Sequence, residues 1–98
     1  MRKKACTASK KVTVKNTLGL HARPAAMVAL LALEAEAPIW LIKNDRRAEA
    51  ASIIELLTLE CRKGTELGLS AENPSDLPIL EQIAALFENG FNEKPTLN

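Results

Sequence analysis

The sequence predicts an α+β fold, a two-layer open-faced β-sandwich in the order β-α-β-β-α-β-α. Its four-stranded, mainly antiparallel sheet carries helices on one face. Three observations support this. Polar and apolar residues alternate over residues 11–15 and again over 67–71, the period-two mark of half-buried strands. Between these runs lie stretches rich in Ala, Leu, Met and Glu, all strong helix formers. Gly, Pro or Asn stands at nearly every change of pattern. Helices gathered on one face of an antiparallel sheet give a two-layer α+β domain.

The elements follow in order. Residues 1–10 lack periodicity and large apolar side chains, and read as a flexible basic extension. Lys11-Val12-Thr13-Val14-Lys15 is the first strand, and Asn16, Thr17 and Gly19 form the turn after it. The first helix covers 22–36 and is closed by Pro38. Ile39-Trp40-Leu41-Ile42 reads as a second strand, and Asn44-Asp45 as a tight turn into a third over 46–50. Ser52-Ile53-Ile54-Glu55 fits a capping box, in which the serine oxygen accepts from the Glu55 N–H and the Glu55 carboxylate reaches back to the Ser52 N–H. Ile53, Leu56 and Leu57 give that short helix an apolar face as far as Glu60, and Lys63-Gly64 ends it. Leu67, Leu69 and Ala71 mark the fourth strand. The last helix has Ser75 as its N-cap and Pro78 at its third position, where no N–H is needed. Leu80, Ile83, Ala84 and Phe87 form its buried face and Gly90 stops it. One domain therefore spans 11–91, and 92–98 reads as a flexible tail.

Composition narrows the function classes. With 98 residues the chain supports one core. A formal net charge of +1 calls for neither nucleic acid nor a membrane surface. The basic start has no apolar stretch behind it, so it does not read as an export signal, and no window has the length of a membrane span. Cys6 and Cys61 lie far apart, without zinc-type spacing, and read as reduced thiols. The expected location is cytoplasmic and the expected state monomeric. No metal site, cofactor or Gly-rich nucleotide loop is indicated.

The chemistry concentrates at Gly19-Leu20-His21-Ala22-Arg23-Pro24-Ala25, which holds the only histidine. If the helix starts just after His21, its first N–H groups, on Ala22 and Arg23, have no intrahelical partner. The helix dipole adds partial positive charge there. Pro24 fits the first turn, where its fixed φ is already helical. The imidazole then stands over an anion site, and the Arg23 guanidinium suits bidentate contact with phosphate oxygens. Neutral imidazole is a nucleophile. The plainer alternative makes His21 a turn residue with a satisfied N–H.

This run resembles the active-site signature of the HPr family, the histidine-containing phosphocarriers of the bacterial phosphoenolpyruvate-dependent sugar phosphotransferase system. The likeness extends through Ser52-Ile53-Ile54 with Leu56, Leu57 and Leu59, and through Lys63-Gly64-Thr65-Glu66, to cover about residues 11–90. It implies that His21 takes a phosphoryl group on Nδ1 from enzyme I and passes it to a sugar-permease A component. Arg23 would orient that group. Ser52 matches the position that a serine kinase/phosphorylase modifies in many members. The bland role of Ser52 as a cap is compatible with such a mark, although Glu49 and Glu55 would repel it.

The sequence departs from the family pattern on the helix faces beside the histidine. Basic residues are usual there, but Leu30, Leu33, Ile54 and Leu57 suggest an apolar docking patch, or else part of the core. Leu18 stands where a small polar residue is common. The leading expectation is a phosphoryl carrier rather than an enzyme. The alternative is a regulatory binding module of nitrogen-branch or catabolite-control type, acting through Ser52 or the phosphorylation state of His21.

Overall fold

The alternation at the start of the chain makes a strand, one that begins earlier than the sequence suggests. In the computed structural model, which describes residues 8–93, β1 runs Ala8–Thr13. The strand pairs antiparallel with β4 (Glu66–Ala71), from Ala8 opposite Ala71 to Thr13 opposite Glu66, so residues 8–10, expected in the extension, are part of the sheet. As an edge strand β1 keeps Ser9 and Lys11 in solvent, so backbone pairing extends it without apolar side chains. The rest of the expected extension and tail, residues 1–7 and 94–98, lies outside the described residues.

β2 (Ile39–Lys43) and β3 (Arg46–Glu49) complete one antiparallel sheet in the order β1-β4-β2-β3. Asn44 turns the β2–β3 hairpin with φ +57°, a left-handed conformation that asparagine tolerates. α1 (Ala22–Ala32), α2 (Ile53–Thr58) and α3 (Leu77–Glu88) form the second layer. Leu41, Leu67 and Leu69 from the sheet meet Val28 of α1, Leu56 of α2 and Leu80, Ile83 and Phe87 of α3 in one core. Phe91 closes its end with an edge-on contact to Phe87, ring centroids 4.9 Å apart.

Three expected helix boundaries move, each for an identifiable reason. α1 stops at Ala32, short of Glu36, although its sequence continues to favour helix. The buried Asp76 carboxylate takes the N–H groups of Glu36 (2.8 Å) and Ala37 (3.1 Å) and turns the chain toward β2. α2 ends at Thr58, where Leu59 caps it and Glu60 turns left-handed at φ +56°. Gly64 instead shapes the turn before β4, at φ +92°, with its N–H on the Val14 carbonyl. Before α3, Asn73 rather than Ser75 is the cap. Its side chain accepts from the Ser75 N–H at 2.9 Å and opens a 3-10 turn, Pro74–Asp76, so Pro78 falls at the second position of α3.

The capping box at Ser52 is half as expected. Ser52 Oγ accepts from the Glu55 N–H at 3.2 Å, but Glu55 Oε1 accepts from the Glu49 N–H at 2.9 Å. The Ser52 N–H is already spent on the Glu49 carbonyl, so Glu55 reaches past it to the end of β3.

Asp76 is only 2% exposed, and both N–H groups it holds depend on it. Asp76→Ala should lower the unfolding free energy by about 3 kcal/mol, the loss of two charge-assisted bonds with their donors left partly buried. Urea denaturation measures this. A change below about 1 kcal/mol would mean that the loop finds other partners.

Candidate functional site

Local backbone physics presents the histidine at the mouth of a helix. Asn16 and Gly19 close a tight turn, with the Gly19 N–H on the Asn16 carbonyl at 3.1 Å. Gly19 adopts φ +71°, and a Cβ there would lie 2.4 Å from the Cys61 carbonyl oxygen. Only glycine fits that approach. The next residue, Leu20, docks its N–H on the same carbonyl at 2.9 Å. The chain then leaves as α1, with His21 as its N-cap in extended conformation. The His21 carbonyl accepts from Ala25, and its ring makes no capping bond.

The first-turn N–H groups of Ala22 and Arg23 make no hydrogen bond among the described residues. Pro24 follows them at the third position, where a missing donor costs nothing. His21, Ala22 and Arg23 thus stand in succession at the open start of α1.

One functional neighbour escapes the sequence. Glu93 lies beyond α3, in the expected tail, yet its Oε2 is 2.8 Å from His21 Nε2 and 3.7 Å from Arg23. Its other oxygen accepts from Asn16 Nδ2 at 3.2 Å. Glu93 is delivered by a 3-10 turn, Gly90–Asn92, in which Gly90, Phe91 and Asn92 all have φ near +58°. Gly90 was the only legible signal of this turn. Burial, the largest single influence on Glu93, pushes its carboxyl up. Hydrogen bonds from His21 and Asn16 and the charges of His21 and Arg23 outweigh it and hold the carboxyl below its ordinary value. Glu93 thus adds stability that is present above the ordinary glutamate range and is lost as pH falls through the lowered value.

The ring is accessible, its side chain 34% exposed. It opens on a cleft of about 600 Å³ lined also by Lys15, Leu18, Lys63 and Asn92. Lys15 is tied to Glu88 at 2.9 Å. Cys61 is buried, and burial pushes its thiol up against the opposing charges of Lys43 and Arg46. Its part in the site is the carbonyl that shapes the turn. No cluster of potential metal ligands occurs among the described residues.

The remaining candidates lie on or next to α1 and α2, and none of them lines the cleft. Leu30 on α1 and Leu33 at its C-cap are 66% and 67% exposed, and Ile54 and Leu57 on α2 are 74% and 37% exposed. None belongs to the buried core, and Leu56 alone is the buried residue of α2. Ser52 is half-buried, its oxygen engaged in the cap.

Comparison with known proteins agrees with this geometry. The family described as the PTS HPr component phosphorylation site matches residues 8–89. Phosphocarrier protein HPr of Treponema pallidum is 36% identical over 85 residues, covering 87% of this chain and 97% of that protein. Phosphocarrier protein NPr of Klebsiella oxytoca is 38% identical over 89 residues, covering 89% and 98%. The crystal structure of HPr-C-His from Thermoanaerobacter tengcongensis superposes with a TM-score of 0.84 at 31% identity, over 90% of this chain and 99% of that one. Among the described residues no helix is long and apolar enough to cross a membrane. With its open-faced sheet and its histidine at the start of α1, the chain belongs to the HPr family of phosphocarrier proteins.

Proposed function

We propose that His21 accepts a phosphoryl group on Nδ1 from phosphorylated enzyme I and passes it to a sugar-permease A component or a regulatory protein. The observation that carries this reading is the commitment of Nε2 to Glu93 at the open start of α1. With its proton on Nε2, donated toward the Glu93 carboxylate, the ring keeps the Nδ1 lone pair for attack. As the new N–P bond forms, the bond from phosphorus to the donor breaks and its electrons stay with the donor. The positive charge that develops on the ring faces Glu93. The incoming oxygens meet Arg23 and the N–H groups of Ala22 and Arg23, which suit an anion. Transfer onward is the same step reversed, with the acceptor as nucleophile.

Relatives named NPr beside those named HPr favour a regulatory acceptor as the second reading. In either case the exposed Leu30, Leu33, Ile54 and Leu57 form the docking face. An apolar face weakens electrostatic steering toward an acidic partner, so the chain works best with partners matched to it. Ser52 keeps its capping role here. A phosphate on it would stand close to Glu49 and Glu55 and undo the bond between Ser52 Oγ and the Glu55 N–H. A relay fed by phosphoenolpyruvate places the protein in the cytoplasm, as a monomer between partners.

The test is intact mass after incubation with phosphoenolpyruvate, magnesium and enzyme I from the same organism. An acid-labile gain of one phosphoryl group is expected. No gain with that enzyme I would end the carrier reading, whereas no gain with a foreign enzyme I alone would locate the difference in the docking face.

A further inference from the structure

The turn asparagine does more than its backbone requires. Asn16 is 5% exposed, and its Nδ2 donates to the Gly19 carbonyl at 2.6 Å and to Glu93 Oε1 at 3.2 Å. Its Oδ1 is buried with no hydrogen-bond partner among the described residues. An asparagine retained for turn formation uses that oxygen to hold nearby N–H groups. Here the oxygen goes unused and the nitrogen does all the bonding, an arrangement unfavourable enough to point to a demand of the site.

Both bonds lead to His21. The Gly19 carbonyl that Asn16 holds also accepts from the His21 N–H at 3.0 Å, so one amide fixes the histidine backbone. Through Glu93 the same amide reaches the ring: Oε1 is held by Asn16 while Oε2 faces Nε2 at 2.8 Å. A carboxylate with a single anchor can swing about its side-chain torsions, and the second anchor removes that freedom. The left-handed backbone at Phe91 and Asn92 stores strain to bring Glu93 to this point.

We propose that Asn16 is a positioning residue for His21, orienting Glu93 so that the ring is held as the Nε2–H tautomer with Nδ1 presented to the cleft. The link to phosphoryl transfer rests on the carrier reading. The positioning itself does not.

The test therefore needs no phosphoryl donor. Ring ¹⁵N shifts of His21 and the ¹³C titration of the Glu93 carboxyl are recorded in the intact chain, in Asn16→Ala, in Glu93→Ala and in the double variant. Arg23, Lys15 and Lys63, the other charged groups at the cleft, are unchanged in all four. In Asn16→Ala the ring should move toward the tautomer mixture found in Glu93→Ala, and the Glu93 titration should rise. The double variant should match Glu93→Ala in its ring tautomer, which Asn16 reaches through the carboxylate rather than through the Gly19 carbonyl. A ring in Asn16→Ala indistinguishable from the parent, or effects of the two substitutions that simply add, would overturn the proposal. Should Asn16→Ala fail to fold, Asn16→Asp has the same shape without the donor and is read by the same signals. Once phosphoryl acceptance is established, Asn16→Ala should slow it about tenfold or more. Failure of acceptance in the parent chain would count against the carrier reading and leave the tautomer result standing.

Discussion

His21→Ala is expected to show no acid-labile mass gain under conditions that fully phosphorylate the parent chain, while its unfolding midpoint scarcely moves. The two halves of this result have separate causes. The chain has one histidine, so removing it removes the only imidazole, and no hydroxyl or carboxylate nearby gives a phosphoramidate with the same acid lability. Stability is spared because the ring is 34% exposed and makes no capping bond. What is lost is one partly exposed hydrogen bond to Glu93, worth about 1 kcal/mol. Intact mass and thermal denaturation on one preparation read both halves. A phosphorylated His21→Ala chain would mean that another residue is the acceptor. A chain that unfolds would mean that the histidine is structural after all.

A large loss of stability should come from a single methyl group at Gly19. Gly19→Ala places a Cβ where the Cys61 carbonyl oxygen is 2.4 Å away and the Arg62 Cα 3.1 Å away, and both obstacles are backbone. The substitution also asks alanine to hold φ +71°. The left-handed conformation costs about 1 kcal/mol and the forced movement about 1–3 kcal/mol more. The sum is a large share of the roughly 5–15 kcal/mol by which a domain is stable. A fall in Tm of roughly 10–20 °C is expected for a chain of this size. The effect reaches the site as well. Moving residue 19 off Cys61 disturbs the Leu20 N–H bond to that carbonyl and the Gly19 carbonyl held by Asn16. Differential scanning calorimetry decides it, and a Tm within about 3 °C of the parent would show that the turn is free to move.

Legibility in the sequence followed the range of the interactions. Features fixed within a few residues were readable: the start of α1 after His21, Pro24 in its first turn, the Ser52 oxygen as cap, and the alternation of β4. Boundaries set from a distance were not. Nothing near Glu36 announces that Asp76 will take its N–H, and helical composition persists past the point where α1 stops. Ser9 and Lys10 carry no strand pattern of their own and are ordered by Ser70 and Leu69 opposite them. The site divides the same way. His21, Ala22 and Arg23 are neighbours in sequence, whereas Glu93 joins them from the far end of the domain, through a left-handed turn that composition does not encode. The exposed leucines were ambiguous because helical spacing alone cannot say which side of a thin domain carries a partner. The packing of α1 and α2 puts them outside.

The uncovered face of the sheet has an optical consequence. Trp40 lies there, between the inward Ile39 and Leu41, with the Arg47 guanidinium 4.1 Å from its ring centre and its indole N–H on Glu72 at 2.8 Å. It is the only tryptophan, and the chain has no tyrosine. The intrinsic emission therefore comes from one fluorophore, with a cation over its ring and a carboxylate at its N–H, on the side of the sheet away from the helices. Because Arg47 belongs to β3 and Trp40 to β2, it is a reporter of whether the β2–β3 hairpin is formed.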